Sequence, residues 1–278
     1  MNLRDVLKYG EDQLAAADIA DAKIDAFTLL ELASGVNRTT YLLYQEREVN
    51  DAQFNKYKKL IEQRVQHIPC QYITGTCEFM GYELMVNPSV LIPRQDTETL
   101  VEEVLKVLPG NSKVLDMCTG SGAIAIALQR FRPDIHPTAV DISEDALDVA
   151  RANGKARHCL IDFVKSDLFE ALNPAEKFDL IVSNPPYVSD SEYEELMPEV
   201  KDYEPALALK AGEKGLDIYE RLIGQAPEYL NEGGLIALEI GCSQAEDVSK
   251  LMEQAGFTDI NVVKDLAGLD RVVMGWLK

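Results

Sequence analysis

From residue 112 onward the chain alternates between short strand-like runs and longer helix-like runs. The strand-like runs are KVLDMCT, HPTAVDIS, LIDFVKSD, FDLIVSN and GGLIALEIG, and amphipathic segments such as EDALDVARANG separate them. Repeated strand–helix units of this kind form a mostly parallel sheet that is covered on both faces. Two further runs, FTDINVVKD and DRVVMGWLK, have no helix between them, so we expect an antiparallel pair. The pattern predicts an α/β fold with a doubly wound sheet of seven strands.

The first 68 residues have a different pattern, with apolar residues at helical spacing. We predict a small helical bundle whose third long helix starts near Asp51, a candidate N-cap residue. Residues 71–92 are rich in aromatic and β-branched residues and in glycine, which favours two or more strands, most simply a hairpin. The predicted organisation is a helical recognition domain over 1–68, a β-hairpin linker over 69–93 and a ligand-binding domain over 94–278.

Composition excludes several classes of protein. The chain of 278 residues carries a formal net charge of −20, which argues against binding nucleic acid through its phosphates. Five scattered cysteines without a CxxC pair, together with three distant histidines, predict reduced thiols in the cytoplasm and no metal site. No run approaches the roughly 20 apolar residues that a membrane span needs. The N-terminus shows no pattern of a signal peptide.

A glycine-rich turn follows the first strand of the sheet, at Cys118, Thr119, Gly120, Ser121 and Gly122. Glycine permits such a turn and lets the backbone approach a ligand closely, and the following helix N-terminus favours an anionic group. Asp141 ends the next strand, at a distance suited to the hydroxyls of a ribose. Asp167, one strand further on and followed by Leu168 and Phe169, is a candidate to edge an adenine that these two residues would cover. The turn and the acid together predict a nucleotide-type ligand. They do not by themselves separate S-adenosylmethionine from NAD, although Cys118 stands where the NAD fingerprint has its first glycine.

The fourth strand ends in a rigid polar segment, Asn184, Pro185, Pro186 and Tyr187. Because proline has no N–H to donate, the sheet cannot continue through this segment. The Asn184 side-chain oxygen and the Pro185 carbonyl are each able to accept one N–H of a planar amino group, and Tyr187 offers a face to stack on it. Such a clamp would aim the nitrogen lone pair at a methyl donor by positioning and electrostatics. The other interpretation is a proline-rich strand end without a function.

Taken together, these motifs closely resemble those of the bacterial protein-(glutamine-N5) methyltransferases that modify class I peptide-chain release factors, the HemK/PrmC family. The matching segments in family order are PCQYITG, VLIPRQDTE, VLDMCTGSGAIAIAL, AVDIS, SNPPYV, EPALAL, GLDIYERLI and GGLIALEIG. The resemblance spans essentially the whole chain. QYITG and VLIPR are more specific to the family than NPPY, which many amino-methylating enzymes share.

The resemblance implies a Rossmann-like class I methyltransferase sheet and a cytoplasmic enzyme, with S-adenosylmethionine as cofactor and S-adenosylhomocysteine as product. Residues 118–122 would hold the amino-acid end of the cofactor, Asp141 its ribose, and Asp167 and Phe169 its adenine. Asn184 would touch both cofactor and substrate, and Arg94 would lie near the cofactor. Pro185, Pro186 and Tyr187 would complete the clamp on the target glutamine.

The chain departs from the family pattern at two positions. The family usually reads DLGTGSG, so Cys118 adds a side chain to a close turn, which would weaken cofactor binding. It also usually reads IPRPETE or IPRPDTE, and Gln95 replaces that proline. Neither change removes a group that does chemistry, and we expect activity to survive both.

Several alternatives remain open at the level of sequence. A sister enzyme that methylates a glutamine of a ribosomal protein would have the same clamp and differ in its helical domain. A nucleic-acid amino-group methyltransferase would also use the clamp, but seven acids and one lysine in residues 189–204 would repel phosphates. A module that only binds cofactor would be expected to lose the clamp, and a nicotinamide oxidoreductase lacks its fingerprint. We expect a monomer that acts on release factors and binds neither nucleic acid nor membrane.

Overall fold

A computed structural model describes all 278 residues, which divide into two compact units. The first unit contains Met1–Gly75 together with Met197–Tyr203. Its core is formed mainly by leucines of the first two helices, packed with Tyr57 and Ile61. The predicted helical character of the N-terminal region is confirmed. Helices α1 to α5 cover Leu3–Ala16, Ala22–Ser34, Arg38–Leu43, Asp51–Val65 and Cys70–Thr74.

Two local predictions in this region were wrong. Asn50, rather than Asp51, caps α4, because the Asn50 side chain accepts from the Gln53 N–H while the Gln53 side chain accepts from the Asn50 N–H. Residues 70–74 form a helical turn, α5, where the aromatic and β-branched pattern had favoured a strand. Gly75, in the left-handed conformation with φ +79°, ends this turn.

A buried arginine organises the first unit. Arg64 is only 4% exposed. It donates from Nε to Asp25 at 2.7 Å and from Nη2 to Glu199 at 2.5 Å. Since removing one partner of a buried ion pair leaves an uncompensated charge, these contacts fix Glu199 and the segment around it to the first unit.

The second unit opens with a hairpin of β1 (Thr76–Phe79) and β2 (Tyr82–Met85), paired antiparallel. Met80 and Gly81 form its two-residue turn with φ of 50° and 75°, as a type I′ turn requires. Helix α6 follows at Gln95–Val107, and its Glu98 accepts from the Met80 N–H at 2.6 Å. The hairpin predicted from residues 71–92 is therefore present but shorter than that stretch. The predicted domain boundaries at 68 and 93 stay a proposal.

The seven-stranded α/β sheet expected from the alternation is confirmed. Its strand order is β5-β4-β3-β6-β7-β9-β8, parallel except for the antiparallel pairs that β9 makes with β7 and β8. Strands β3 to β9 cover Lys113–Met117, His136–Asp141, Asp162–Lys165, Phe178–Ser183, Leu230–Glu239, Phe257–Lys264 and Asp270–Leu277. Helices α7, α8, α11 and α12 cover Ala123–Phe131, Glu144–Ala156, Asp217–Gln225 and Ala245–Gln254. No helix is both long and apolar enough to cross a membrane.

The acidic segment after the clamp is more regular than its sequence suggests. It contains helices α9 (Asp190–Glu195) and α10 (Pro198–Lys201). Two 3₁₀ turns, Ala206–Ala208 and Ala226–Glu228, lie before and after α11. The Ser189 side chain starts α9 with a capping box to Glu192.

Gln95 occupies the first turn of α6, where the resembling family has proline. Its backbone N–H is one of those left unpaired at a helix start, and Arg94 before it is extended at ψ 149°, the conformation that proline demands of its predecessor. Gln95→Pro should therefore raise the free energy of unfolding by about 0.4–1 kcal/mol through the unfolded state. Urea denaturation measures this, with Gln95→Ala as the control that removes the same exposed side chain without fixing φ. Equal stability of the two variants would contradict the expectation.

Candidate active site

The glycine-rich turn is fixed by backbone contacts at the carboxyl end of β3. The Thr119 N–H donates to the Val140 carbonyl at 2.9 Å, and the Gly120 N–H donates to Asp141 Oδ2 at 2.9 Å. Gly122 has φ +82°, and a Cβ placed there would lie 3.2 Å from that of Ala150. An added Cβ on Gly120 would meet no heavy atom within 4 Å, so the backbone there is open to a ligand.

Asp141 lies at the end of β4 and faces this turn. One carboxylate oxygen accepts from Gly120 and the other from the Ser143 N–H, both at 2.9 Å. Burial raises the pKa of Asp141, while those two backbone donors lower it. A carboxylate has about four acceptor positions, so Asp141 retains room for the hydroxyl donors of a ribose. Such donors would further favour its charged form.

A cavity of about 230 Å³ adjoins the turn. It is lined by the ends of β3, β4 and β6 and by the segments that follow them. Its wall includes Cys118, Thr119, Gly120, Ser121, Asp141, Asp167 and Asn184. These predicted residues therefore share one cavity, whereas Gly122 lies behind it at the start of α7.

Of the two residues that the resemblance places by the adenine, Asp167 lies at the cavity and Phe169 does not. Asp167 lines the cavity and pairs with Arg221 Nη2 at 2.9 Å. Phe169 does not line the cavity, because its ring is buried in the core and stacks on Tyr229 at a centroid distance of 4.4 Å. Leu168, with φ +49°, faces the cavity in its place.

The clamp segment begins where β6 ends. Asn184 Nδ2 donates to Thr97 Oγ1 at 3.1 Å, which leaves Asn184 Oδ1 as the acceptor available at the cavity. Pro186 lines the cavity, while Pro185 is buried and Tyr187 lies beside the lining residues. The structure thus brings Asn184 and Pro186 to the same cavity as the glycine-rich turn, whereas Pro185 and Tyr187 are not among the residues that line it.

Tyr187 is held at both its hydroxyl and its backbone. The hydroxyl donates to Glu239 Oε1 at 3.2 Å, and the Tyr187 carbonyl accepts from Gln244 Nε2 at 3.0 Å. Gly215 packs so closely here that an added Cβ would lie 2.3 Å from the Tyr187 carbonyl oxygen. Its φ of +71° is also one that glycine adopts without strain. The clamp is therefore supported by contacts from outside the NPPY segment.

Glu239 is a buried carboxyl at the end of β7, 1% exposed. Burial raises the pKa of Glu239 to about 7, against the lowering effects of the Thr97 hydroxyl, the Arg271 charge and the Tyr187 hydroxyl. Its second oxygen, Oε2, has no hydrogen-bond partner within normal distance. Glu239 thus neighbours both Tyr187 of the clamp and Thr97, the hydrogen-bond partner of Asn184.

Arg94, expected near the cofactor, pairs with a buried acid. Its Nη2 bonds Glu204 Oε1, and Glu204 Oε2 accepts from the Ile92 N–H at 3.1 Å. Pro93 lines the cavity but Arg94 does not. Arg94 therefore joins VLIPR to EPALAL next to Pro93 and Pro205, which line the cavity.

Three residues of the site were not predicted: Thr97, Arg221 and Glu239. Thr97 carried a weak signal, since it follows the family-specific VLIPR run. Glu239 also carried a weak signal, because it is an acid at the end of an apolar strand, as Asp141 is. Nothing in the sequence around Arg221 distinguishes it from an exposed helical arginine. No cluster of three histidine, cysteine or acidic residues in the chain is arranged to hold a metal.

Comparison with known proteins agrees with this geometry. Residues 5–75 match the PrmC N-terminal domain, and residues 95–200 match the methyltransferase small domain. Release factor glutamine methyltransferase of Geobacter sulfurreducens is 40% identical, covering 98% of this chain and 96% of its own length. The protein of the same name from Koribacter versatilis is 41% identical, covering 99% and 98%.

The chain belongs to the release factor glutamine methyltransferase family. A solved 16S rRNA methyltransferase of T. thermophilus, in complex with AdoMet and guanosine, has a TM-score of 0.55. It is 20% identical and covers 73% of this chain and 50% of its own. At this identity the likeness shows the methyltransferase fold alone.

The buried Asp116 at the end of β3 makes the folded state sensitive to pH. Burial raises the pKa of Asp116 to about 7, although the Thr119 hydroxyl and the Ala125 N–H both donate to its Oδ2 and lower it. The unfolded value is about 3.9, so between about pH 4 and pH 7 the folded state binds more protons, and the free energy of unfolding falls as pH rises.

Asp116→Asn lacks this titration. The wild type should therefore lose about 2 kcal/mol or more relative to the variant between about pH 5 and pH 8, since one pKa unit corresponds to about 1.4 kcal/mol. Denaturant unfolding of both proteins at the two pH values measures the difference. A stability gap independent of pH would show that Asp116 is ionised in the folded protein.

Proposed function

We propose that this protein transfers the methyl group of S-adenosylmethionine to the side-chain amide nitrogen (N5) of the glutamine in the Gly-Gly-Gln loop of class I peptide-chain release factors. The observation that carries the proposal is the position of Asn184. Its side-chain oxygen is available in the same cavity that the glycine-rich turn and Asp141 line. The full-length similarity to release factor glutamine methyltransferases supports the choice of substrate. The enzyme is a methyltransferase by family and by fold.

The residues of the cavity suit S-adenosylmethionine. The N-terminus of α7 suits a carboxylate, with the Ser121 N–H as the backbone donor of the turn that Val140, Asp141 and Thr119 do not occupy. Asp141 offers its remaining acceptor positions to the ribose, and Asp167 offers an acceptor to the adenine amino group. Leu168 supplies an apolar surface to the ring in place of Phe169. When bound, this cofactor supplies an electrophilic methyl group and becomes S-adenosylhomocysteine.

The chain contributes positioning at the acceptor side. Asn184 Oδ1 at the cavity would accept one N–H of the glutamine amide and the adjoining Pro185 carbonyl would accept the other, which would fix the plane of the amide and direct its lone pair at the methyl group. Transfer would break the methyl–sulfur bond of the donor as the carbon–nitrogen bond forms, and the nitrogen would release a proton to water. Oriented acceptors of this kind act without reorganisation during the reaction, which is where their catalytic effect arises.

The charge of the protein favours a protein substrate over nucleic acid. Subtracting 9 basic and 11 acidic residues in 1–70 from totals of 27 and 47 leaves 18 and 36 in residues 71–278, a net of −18. Phosphates would be repelled by this charge, and a basic loop would be attracted. A ribosomal protein glutamine remains the second candidate acceptor, because it fits the same clamp. We place the enzyme in the cytoplasm with the translation machinery, acting as a monomer.

The first test is methyl transfer from labelled S-adenosylmethionine to a purified release factor. We expect label on the factor and none on a factor whose Gly-Gly-Gln glutamine is replaced by alanine, because the clamp requires a primary amide. Ribosomal protein and ribosomal RNA serve as parallel acceptors in the same assay. Label on either of these with an unlabelled release factor would overturn the proposed substrate.

Two variants separate the clamp from the cofactor site. Asn184→Ala should lower kcat by about 10²–10³-fold, as loss of one oriented polar group does, with a small change in cofactor Kd. Asp141→Asn should raise the cofactor Kd by about tenfold or more, because hydrogen bonds to a charged group are strong. Single-turnover kinetics and calorimetry measure the two quantities.

Exposed residues of the same type provide matched controls. Asn261→Ala on β8 and Asp162→Asn on β5 change the same groups at the surface and should leave both quantities as in the wild type. Equal loss of turnover and cofactor affinity in Asn184→Ala would refute the clamp assignment. Unchanged cofactor affinity in Asp141→Asn would refute the ribose assignment.

A further inference from the structure

The clamp depends on which way the Asn184 amide points. The two ends of a carboxamide have nearly the same shape, but only the oxygen can accept an N–H from a substrate. If the amide turned over, its NH₂ would face the donors of the acceptor amide and repel them. A clamp built on asparagine therefore needs a neighbour that recognises its nitrogen.

Thr97 is that neighbour. It lies in the first turn of α6, is 4% exposed, and its Oγ1 is 3.1 Å from Asn184 Nδ2. Since Nδ2 can only donate, the Thr97 oxygen accepts in this bond and the hydroxyl proton must go to another acceptor. A hydroxyl alone would not fix the amide, because it could equally donate to a turned Asn184 oxygen.

Glu239 removes this ambiguity. Ser183 pairs with Leu238 in the parallel β6–β7 ladder, so Asn184 and Glu239 are the next residues along two adjacent strands. The Thr97 hydroxyl lies near Glu239 and lowers the pKa of its carboxyl, as a donor does, and an ionised carboxylate only accepts. With the Thr97 hydroxyl directed at the carboxylate, its oxygen accepts from Asn184 Nδ2, and Asn184 Oδ1 is left to the cavity.

We infer that Thr97, oriented by Glu239, is a positioning residue that holds the Asn184 amide with its oxygen toward the acceptor glutamine. This inference rests on the proposed function for the identity of the acceptor, but the amide orientation itself exists without a substrate.

The Glu239 carboxyl also contacts Tyr187, the last residue of the clamp. Tyr187 donates its hydroxyl to Glu239 Oε1 at 3.2 Å. Arg271 donates to the carbonyl of the next residue, Ile240, at 3.2 Å, and its charge favours the ionised carboxylate. Glu239 therefore contacts Tyr187 directly and acts on Asn184 through Thr97.

The test compares Thr97→Val, which removes the hydroxyl at nearly constant volume, with Thr97→Ser, which keeps it. Measured at about pH 8, where a carboxyl with a pKa near 7 is largely ionised, Thr97→Val should lower kcat about tenfold, the loss expected for one hydrogen bond. Thr97→Ser should retain most of the activity. Cofactor Kd and melting temperature should change little in both, and equal impairment of the two variants would overturn the inference.

A double-mutant cycle decides whether Thr97 acts through Asn184. In an Asn184→Ala background there is no amide to orient, so adding Thr97→Val should lower kcat by less than about twofold. A full tenfold further loss would show that Thr97 acts by another route, and the inference would be wrong.

A second readout needs no acceptor and so separates this inference from the proposed substrate. The side-chain ¹H–¹⁵N signals of Asn184 report the Nδ2 hydrogen bond in the protein alone. We expect them to shift and exchange faster in Thr97→Val, while Thr97→Ser keeps the wild-type signals. Unchanged signals in Thr97→Val would overturn the inference even if release factor methylation were confirmed, whereas shifted signals with no methylation would count against the substrate alone.

Discussion

The parallel pairing of β3 with both of its neighbours brings the site together. Met117 pairs with Val140 of β4 on one side and with Ser183 of β6 on the other. Cys118, Asp141 and Asn184 directly follow these three paired residues and therefore lie at the same edge of the sheet. The glycine-rich turn, Asp141 and Asn184 meet there. A slip of one residue in either pairing would turn the side chains at these ends to the opposite face. Burial of the apolar strands on both faces fixes the register and with it the site.

Carboxyl groups at strand ends then hold the loops that leave this edge. Asp116 accepts from Thr119 and Ala125, Asp141 accepts from Gly120 and Ser143, and Glu239 accepts from Tyr187. Burial raises the pKa of all three acids, so each is held at an energetic disadvantage in its charged form. What they contribute is direction, because an ionised carboxyl accepts only and thereby decides which way each neighbouring donor points. Buried carboxylates thus order both the glycine-rich turn and the NPPY segment.

The sequence predicted those parts of the fold and site that are encoded locally. The strands, the glycine-rich turn, Asp141 and the NPPY segment each carry their signal within a few residues. The contact between Thr97 and Asn184 joins positions 87 residues apart, and no local pattern announces it. Phe169 was assigned to the cavity because it follows Asp167 closely. Leu168 has a positive φ and lines the cavity, whereas the Phe169 ring stacks on Tyr229 in the core.

Cys118 shows how a departure from the family pattern is accommodated. Its φ of +60° lies in the left-handed region, where a side chain costs about 1–2 kcal/mol and glycine costs nothing. The turn tolerates this because the adjacent Thr119 and Gly120 N–H groups are both bonded to the end of β4. An unbranched side chain adds little to the strain, and burial raises the pKa of the thiol, so Cys118 brings no charge to the cofactor cavity. The turn therefore carries the Cys118 side chain in a left-handed conformation while Thr119 and Gly120 stay bonded to the end of β4.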